Sequence, residues 1–183
     1  KKIILFPARM TSWKGQLEFI DVIKKMDTQN ILVLFAGDTK NKSYTKLVRD
    51  KIEQNNLELV CKILGSVNQD EMRSLYQVAD LSVSFPLRAE GFGRTVSESL
   101  YSKTPVLVFD YGGVKNQLAN LSEIFKVKPQ DFQALPAKIE KLLSLSEDQK
   151  KLILEGVQSV IESNFSKINM VNQYLKLYES FKS

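Results

Sequence analysis

Six short apolar runs separated by stretches of helical spacing limit this chain's fold more than any other feature. IILFPA (3–8), ILVLFAG (31–37), LVCKILG (59–65), DLSVSF (80–85), PVLVF (105–109) and IFKV (124–127) read as strands. Most of these runs are continuously apolar; DLSVSF, where serines intervene, departs from that pattern. A strand needs that pattern when both of its faces are covered, which is the situation in a parallel sheet. The intervening segments have the 3.6-residue period. Trp13, Leu17, Ile20 and Ile23 share a face, a polar helix is predicted over about 43–54, and another runs over about 94–102. Asn68 with Glu71, and Ser146 with Gln149, have the capping-box spacing that starts a helix. Everything after Pro129 reads as helical, with Leu135, Ile139, Leu142 and Leu143 on one face and a last helix over about 166–181. Strands alternating with helices predict an α/β, Rossmann-like, doubly wound parallel sheet with additional C-terminal helices. The whole of 1–183 is expected to be one domain, with the C-terminal helices at about 130–183.

Composition removes several classes of function. There is no histidine and one cysteine, Cys61. Ser–His and Cys–His catalysis, the usual zinc sites and an internal disulfide are therefore closed to this chain. Cys61 lies in an apolar run and reads as a small buried residue. No apolar run reaches membrane-spanning length. The opening KKIILFPAR reads as a strand and not as an apolar leader, and the chain starts without methionine, as a piece of a longer polypeptide would. The net charge of +5 comes from lysines spread along the chain. They make solvated helix faces, or they favour an anionic partner such as a nucleotide, a phosphate or an acidic lipid surface. A nucleic-acid partner is not expected, because no basic stripe carries interleaved aromatics.

Ligands of open α/β sheets bind at the carboxyl ends of the strands, so the residues just after each strand are the candidates. Arg9 and Lys14 follow the first, Gly65-Ser66-Val67 the third, Glu90-Gly91-Phe92-Gly93 the fourth, and Asp110-Tyr111-Gly112-Gly113 the fifth. In the fourth loop Gly91 and Gly93 permit positive φ and close approach to the backbone. The helix beginning near Arg94 offers free N–H groups and a partial positive charge, which suit phosphate. Glu98 lies about one turn in and leans back toward that N-terminus. A carboxylate is a poor phosphate partner and a good acceptor for sugar hydroxyls. Arg9 and Lys14 supply two cations, and Glu90 a second acceptor. Taken singly, each of these is also explained by a tight turn, a solvated loop or a helix start. Together at one sheet edge they give the order of groups in a nucleotide sugar: hydroxyls, diphosphate, hydroxyls.

The chain resembles the C-terminal, donor-binding domain of retaining glycosyltransferases of the GT-B fold, the large group 1 family. The resemblance rests on Glu90-Gly91-Phe92-Gly93 with Glu98 (the E-x7-E motif), Arg9 and Lys14 in ARMTSWKG, AGD (36–38), GSVNQDEMRSLYQVADLSVSFP (65–86), TPV (104–106) and YGG (111–113), and it covers nearly the whole chain. It implies that Arg9 and Lys14 clamp the donor's diphosphate and stabilise the leaving group, and that Glu90 holds hydroxyls of the donor sugar. It further implies that the backbone around Gly91, Phe92, Gly93 and Thr95 meets sugar and phosphate, that Glu98 holds the ribose, and that Val67 lies against the base. No metal or other cofactor is implied.

The family's cleft lies between two Rossmann-like domains, so the resemblance also implies an N-terminal, acceptor-binding domain beyond this chain. The chain alone then binds donor without transferring the sugar. Its final helices resemble the segment that crosses back to that domain, with an apolar stripe left partly exposed. The implied acceptor is a glycan or a lipid-linked glycan, in polysaccharide or lipopolysaccharide assembly, in the cytoplasm or at the membrane's cytoplasmic surface. Three positions depart from the family pattern: Ala8 and Lys103, where glycine is usual, and Asn116, where glutamate is. A nucleotide-sugar epimerase of related fold and a non-catalytic nucleotide-binding domain are the competing readings. A nicotinamide dehydrogenase is disfavoured, because ARMTSWKG is not a dinucleotide fingerprint.

Overall fold

A computed structural model describes residues 1–118 and 122–181. Its centre is a six-stranded sheet: β1 (Lys2–Pro7), β2 (Ile31–Ala36), β3 (Cys61–Gly65), β4 (Leu81–Ser84), β5 (Val106–Phe109) and β6 (Lys126–Val127). All neighbours pair in parallel, in the order β3-β2-β1-β4-β5-β6. This is the doubly wound order, with the chain reversing direction across the sheet between β1 and β4. Nine helices accompany the sheet among the described residues. α1 (Gln16–Ile23), α2 (Lys42–Gln54), α3 (Gln69–Val78), α4 (Arg94–Tyr101) and α5 (Val114–Leu118) lie in the alternating part. α6 (Leu135–Leu143), α7 (Glu147–Ile153), α8 (Val157–Phe165) and α9 (Lys167–Ser180) follow it.

The two-sided burial expected from the apolar runs is present in β1. Ile4 and Phe6 join the large core with Phe19, Ile20 and Phe35. Leu5 joins a second cluster with Ala36, Tyr76 and Ala79, against which Ile3, Val67 and Met72 pack. Five phenylalanines near the carboxyl ends of the strands form a continuous layer. Phe6–Phe19, Phe19–Phe85, Phe85–Phe109 and Phe6–Phe35 have centroids 5.3, 5.5, 5.1 and 5.5 Å apart, within the range of favourable tilted ring pairs. This layer is a rigid floor beneath the loops at that sheet edge. Cys61 is buried, as expected, and burial pushes its thiol up to about 12.

Both anticipated capping boxes form, at Asn68/Glu71 and at Ser146/Gln149. Five details differ from the sequence expectation. Ile124 and Phe125 of the sixth run lie in a 3-10 turn over Glu123–Phe125, and only Lys126–Val127 pair with β5. Trp13 is outside α1, in a 3-10 turn over Ser12–Lys14, because Gly15 at φ 85° breaks the helix there. A Cβ on Gly15 would sit 2.2 Å from the Phe85 carbonyl oxygen, so α1 starts where it can approach the end of β4. The third strand begins at Cys61 and not at Leu59, which is exposed on the turn closed by Cys61 N–H bonding Leu57 O at 2.7 Å. The segment after Pro129 opens with a turn, where Asp131 accepts from Ala134 N–H at 3.1 Å, before α6 begins. Gly156, at φ 73°, separates α7 from α8. Leu135, Ile139, Leu142 and Leu143 are all buried on one face of α6, as expected. α9 has no buried residue and leaves Ile168, Met170, Tyr174, Leu175 and Tyr178 exposed. Positions 182–183 of the expected helical segment lie outside the described residues.

No helix among the described residues is long and apolar enough to cross a membrane.

Candidate functional site

The chain reversal between β1 and β4 parts the loops that follow these two strands and opens a cleft at the carboxyl edge of the sheet. The cleft is about 650 Å³. All nine residues singled out from the sequence line it: Arg9, Lys14, Val67, Glu90, Gly91, Phe92, Gly93, Thr95 and Glu98. A larger hollow of about 900 Å³ lies at the opposite edge, between the amino ends of β4 and β5 and helices α7 and α8. Several of its charges neutralise one another, with Lys150 paired to Asp80 at 3.4 Å and Glu147 at 2.8 Å.

α4 points its amino end into the cleft. Its N-cap is Gly93, at φ 78° and ψ 59°, which supplies no side chain to cap the first amides. Those N–H groups and the helix's partial positive charge are therefore turned toward whatever occupies the cleft. Gly91 behaves differently from the expectation: its φ is not left-handed, and a Cβ there would meet nothing within 4 Å. The backbone turn is made by Gly93 alone, and Gly91 leaves its side of the cleft open. Phe92 lines the cleft and turns its ring onto Phe165, with centroids 5.5 Å apart.

The charges are unevenly engaged. Lys14 forms an ion pair with Glu90, both side chains nearly buried at 13% and 11% exposure, and its Nζ also lies 4.3 Å from the Trp13 ring centroid. Arg9 is exposed and makes no ion pair among the described residues. Burial, and then the Glu90 charge, raise the Tyr111 pKa, so this phenol remains a donor; it bonds the Pro86 carbonyl. Glu98 is exposed and accepts from the Tyr76 hydroxyl at 3.1 Å. Among the described residues no group of three or more Cys, Asp or Glu is placed to hold a metal ion.

Buried polar side chains fix these loops from behind. Gln16 is fully buried; its Nε2 donates to Arg9 O at 2.9 Å and its Oε1 accepts from Tyr44 OH at 3.2 Å. Gln117, 2% exposed, donates to the Phe92 carbonyl and accepts from Ser97 Oγ at 2.7 Å. Gly113 N–H bonds Glu90 O at 2.8 Å, which ties the YGG turn to the fourth loop. Sequence reasoning missed Gln16, Gln117 and Tyr76, because a glutamine or tyrosine in a helix carries no local sign of burial. It also missed Trp13, Gly37, Met72 and Arg94, which line the cleft. Arg94 sits inside the quoted motif, and its charge at the first turn of α4 was the available signal.

Of the three departures from the family pattern, Ala8 lines the cleft, and Lys103 and Asn116 lie outside it. Lys103 has φ 60° and follows α4, with Lys103 N–H on Leu100 O at 3.0 Å and Thr104 N–H on Ser99 O at 3.0 Å. That is a Schellman C-terminus, whose left-handed residue is usually glycine. Asn116 is exposed on α5 and does not line the cleft.

Residues 1–158 match the family model described as glycosyl transferases group 1. Among curated relatives, the trehalose synthase of Thermococcus litoralis is 28% identical over 191 residues, covering 99% of this chain and 45% of that protein. The D-inositol 3-phosphate glycosyltransferase of Corynebacterium urealyticum is 25% identical, covering 98% and 43%. The chain thus spans somewhat under half the length of these relatives. Among solved structures, a glycosyltransferase from Rickettsia africae superposes with a TM-score of 0.89 at 32% identity, covering 98% of this chain and 47% of that one. Anabaena Alr3699/HepE, solved with UDP and glucose, superposes at 0.85 with 23% identity, covering 97% and 48%; at that identity the likeness concerns the fold.

Proposed function

The chain belongs to the group 1 glycosyl transferases, and on that premise we propose that its cleft binds the nucleotide-diphosphate sugar donor of a retaining glycosyltransferase. One observation carries the reading. The β1/β4 cleft brings together two cations, the uncapped amino end of α4, and the two carboxylates Glu90 and Glu98.

Each group has a role set by its chemistry. Arg9, free of carboxylates, and Lys14 bind the diphosphate, while the first amides of α4 meet the same charge. Negative charge grows on the leaving diphosphate as the glycosidic bond breaks, and fixed cations and amides there lower the barrier without a metal ion. A diphosphate entering the cleft competes with Glu90 for Lys14. Released or shared, the Glu90 carboxylate accepts from the sugar hydroxyls. Glu98 accepts from the ribose, and Val67, packed on the smaller core cluster, faces the base. The hexosyl group passes to a glycan or lipid-linked acceptor.

Since the chain spans under half of its relatives, the acceptor site and the second wall of the cleft belong to a further domain of the same polypeptide. The exposed apolar residues of α9 are the surface on which that domain rests. This chain alone therefore binds donor without turnover. No observation favours an epimerase or a non-catalytic domain over this reading; interconversion of a nucleotide sugar without acceptor would favour the first.

Calorimetric titration with UDP, GDP, ADP and their sugar conjugates tests the proposal. Binding of one nucleotide class, weakened by Glu98→Ala and by Arg9→Ala with the fold intact, is the expected result. Binding unaffected by either substitution, or robust sugar transfer by this chain alone, would overturn it.

A further inference from the structure

We propose that Tyr76 is a positioning residue for Glu98, holding that carboxylate in the orientation in which it receives the ribose of a nucleotide; the inference rests on the donor-site reading above. Tyr76 is on α3, 2% exposed, and does not line the cleft. Its hydroxyl reaches through the α3–α4 contact and donates to Glu98 Oε2 at 3.1 Å. No other hydrogen bond or ion pair of the Glu98 side chain exists among the described residues. Arg94, one turn earlier on α4, makes no ion pair with it.

An exposed glutamate free to turn about three side-chain bonds loses that freedom when it binds a ligand. Tethering one of its oxygens removes part of that loss in advance, and Oε1, with the remaining lone pairs of Oε2, stays available to a ligand in the cleft that Glu98 lines. The tether is itself anchored. The Tyr76 carbonyl accepts from Thr104 Oγ1 at 2.6 Å, and the Thr104 carbonyl accepts from Ser99 Oγ at 3.1 Å. Thr104 and Ser99 are 3% and 0% exposed. This chain of buried bonds joins α3, α4 and the segment before β5. Burial, then the charge of Glu98 and the bond to it, raise the Tyr76 pKa far above its ordinary value, so the phenol stays protonated and donates throughout the neutral range.

The test uses this 183-residue chain, with UDP, GDP and ADP titrated in turn and the tightest of them compared with its 2′,3′-dideoxy analogue. Tyr76→Phe keeps the buried ring and removes only the donor. The ribonucleotide then binds about tenfold more weakly, the dideoxy analogue binds as before, and the thermal midpoint is nearly unchanged. Adding Tyr76→Phe to Glu98→Ala costs no further affinity. Thr104→Val, which keeps the buried shape and removes the 2.6 Å bond that anchors Tyr76, lowers the same ribose discrimination to a smaller degree if Tyr76→Phe itself folds poorly. Unchanged ribose discrimination in Tyr76→Phe, with discrimination lost in Glu98→Ala, would overturn the positioning role and leave the donor site standing. Equal weakening of both analogues would make Tyr76 a structural residue only. No binding by any of the three nucleotides, or no effect of Glu98→Ala, would overturn the donor-site reading and this inference with it.

Discussion

Two glycines of one loop, Gly91 and Gly93, respond to the same substitution in opposite ways. Gly93 caps α4 at φ 78°, a conformation that costs an L-residue about 1–2 kcal/mol. A Cβ there would also lie 2.7 Å from Val114 Cγ2, and a β-branched side chain rotates away reluctantly. The crowding adds about 1 kcal/mol, and the stiffer unfolded chain returns about 0.5 kcal/mol. Gly93→Ala is therefore destabilised by about 2 kcal/mol, a fall of about 4–8 °C in thermal midpoint for a chain of this size. Gly91 has an ordinary φ, and its Cβ would enter open space within the cleft. Gly91→Ala keeps the midpoint or raises it slightly, while the added methyl occupies the wall that a nucleotide diphosphate approaches and weakens its binding. Differential scanning fluorimetry with nucleotide titration on both variants checks this. A lower midpoint in Gly91→Ala than in Gly93→Ala, or nucleotide binding untouched by Gly91→Ala, would refute the division into a backbone-shaping glycine and a ligand-facing one.

Two further outcomes follow from other parts of the fold. Lys103 is exposed in the left-handed conformation at the Schellman end of α4. Lys103→Gly relieves that strain and stabilises the chain by about 0.5–1 kcal/mol, read as a rise of about 2 °C. Asp80 is pulled in two directions: burial raises its pKa, but hydrogen bonds from Lys2 and the Ile3 N–H, with the charges of Lys2 and Lys150, bring the net value below the ordinary one. A carboxyl group with a depressed folded pKa adds stability above its unfolded value, and that stability is lost as pH falls through the folded one. Asp80→Asn should then melt below the native chain at pH 7, with the gap closing below about pH 4. A gap independent of pH would contradict the ion-pair account.

The sheet was legible because covered strands are mostly apolar on both faces; each of the six runs holds a strand, although β4 also buries Ser82 and Ser84, and Ile124 and Phe125 of the last run fall in a 3-10 turn before β6. Their limits shifted where a long-range contact set the boundary. Trp13 shares the apolar period of α1 but lies outside it, since Gly15 must pack against the Phe85 carbonyl. Leu59 extends an apolar run yet is exposed, because the chain turns at Leu57 to enter β3. The candidate site was legible in its charges and glycines, which sit directly after strands. Its supports were not. Gln16, Tyr76 and Gln117 act across separations of 7, 22 and 25 residues, and nothing local distinguishes them from surface residues. The Lys14–Glu90 pair joins residues 76 positions apart and shows that one of the two expected phosphate cations is engaged by a carboxylate before any ligand arrives.

The central claim, that the β1/β4 cleft holds a nucleotide diphosphate, is tested most directly by a crystal structure of the chain grown with the nucleoside diphosphate that binds best. The account predicts phosphate oxygens within hydrogen-bond distance of Arg9, Lys14 and the first amides of α4. It also predicts ribose hydroxyls on Glu98 and a Lys14–Glu90 pair parted or shared. Nucleotide seated in the hollow beside Lys103 and Lys151 at the opposite edge of the sheet, or a cleft whose Lys14–Glu90 pair is intact with phosphate bound elsewhere, would contradict it.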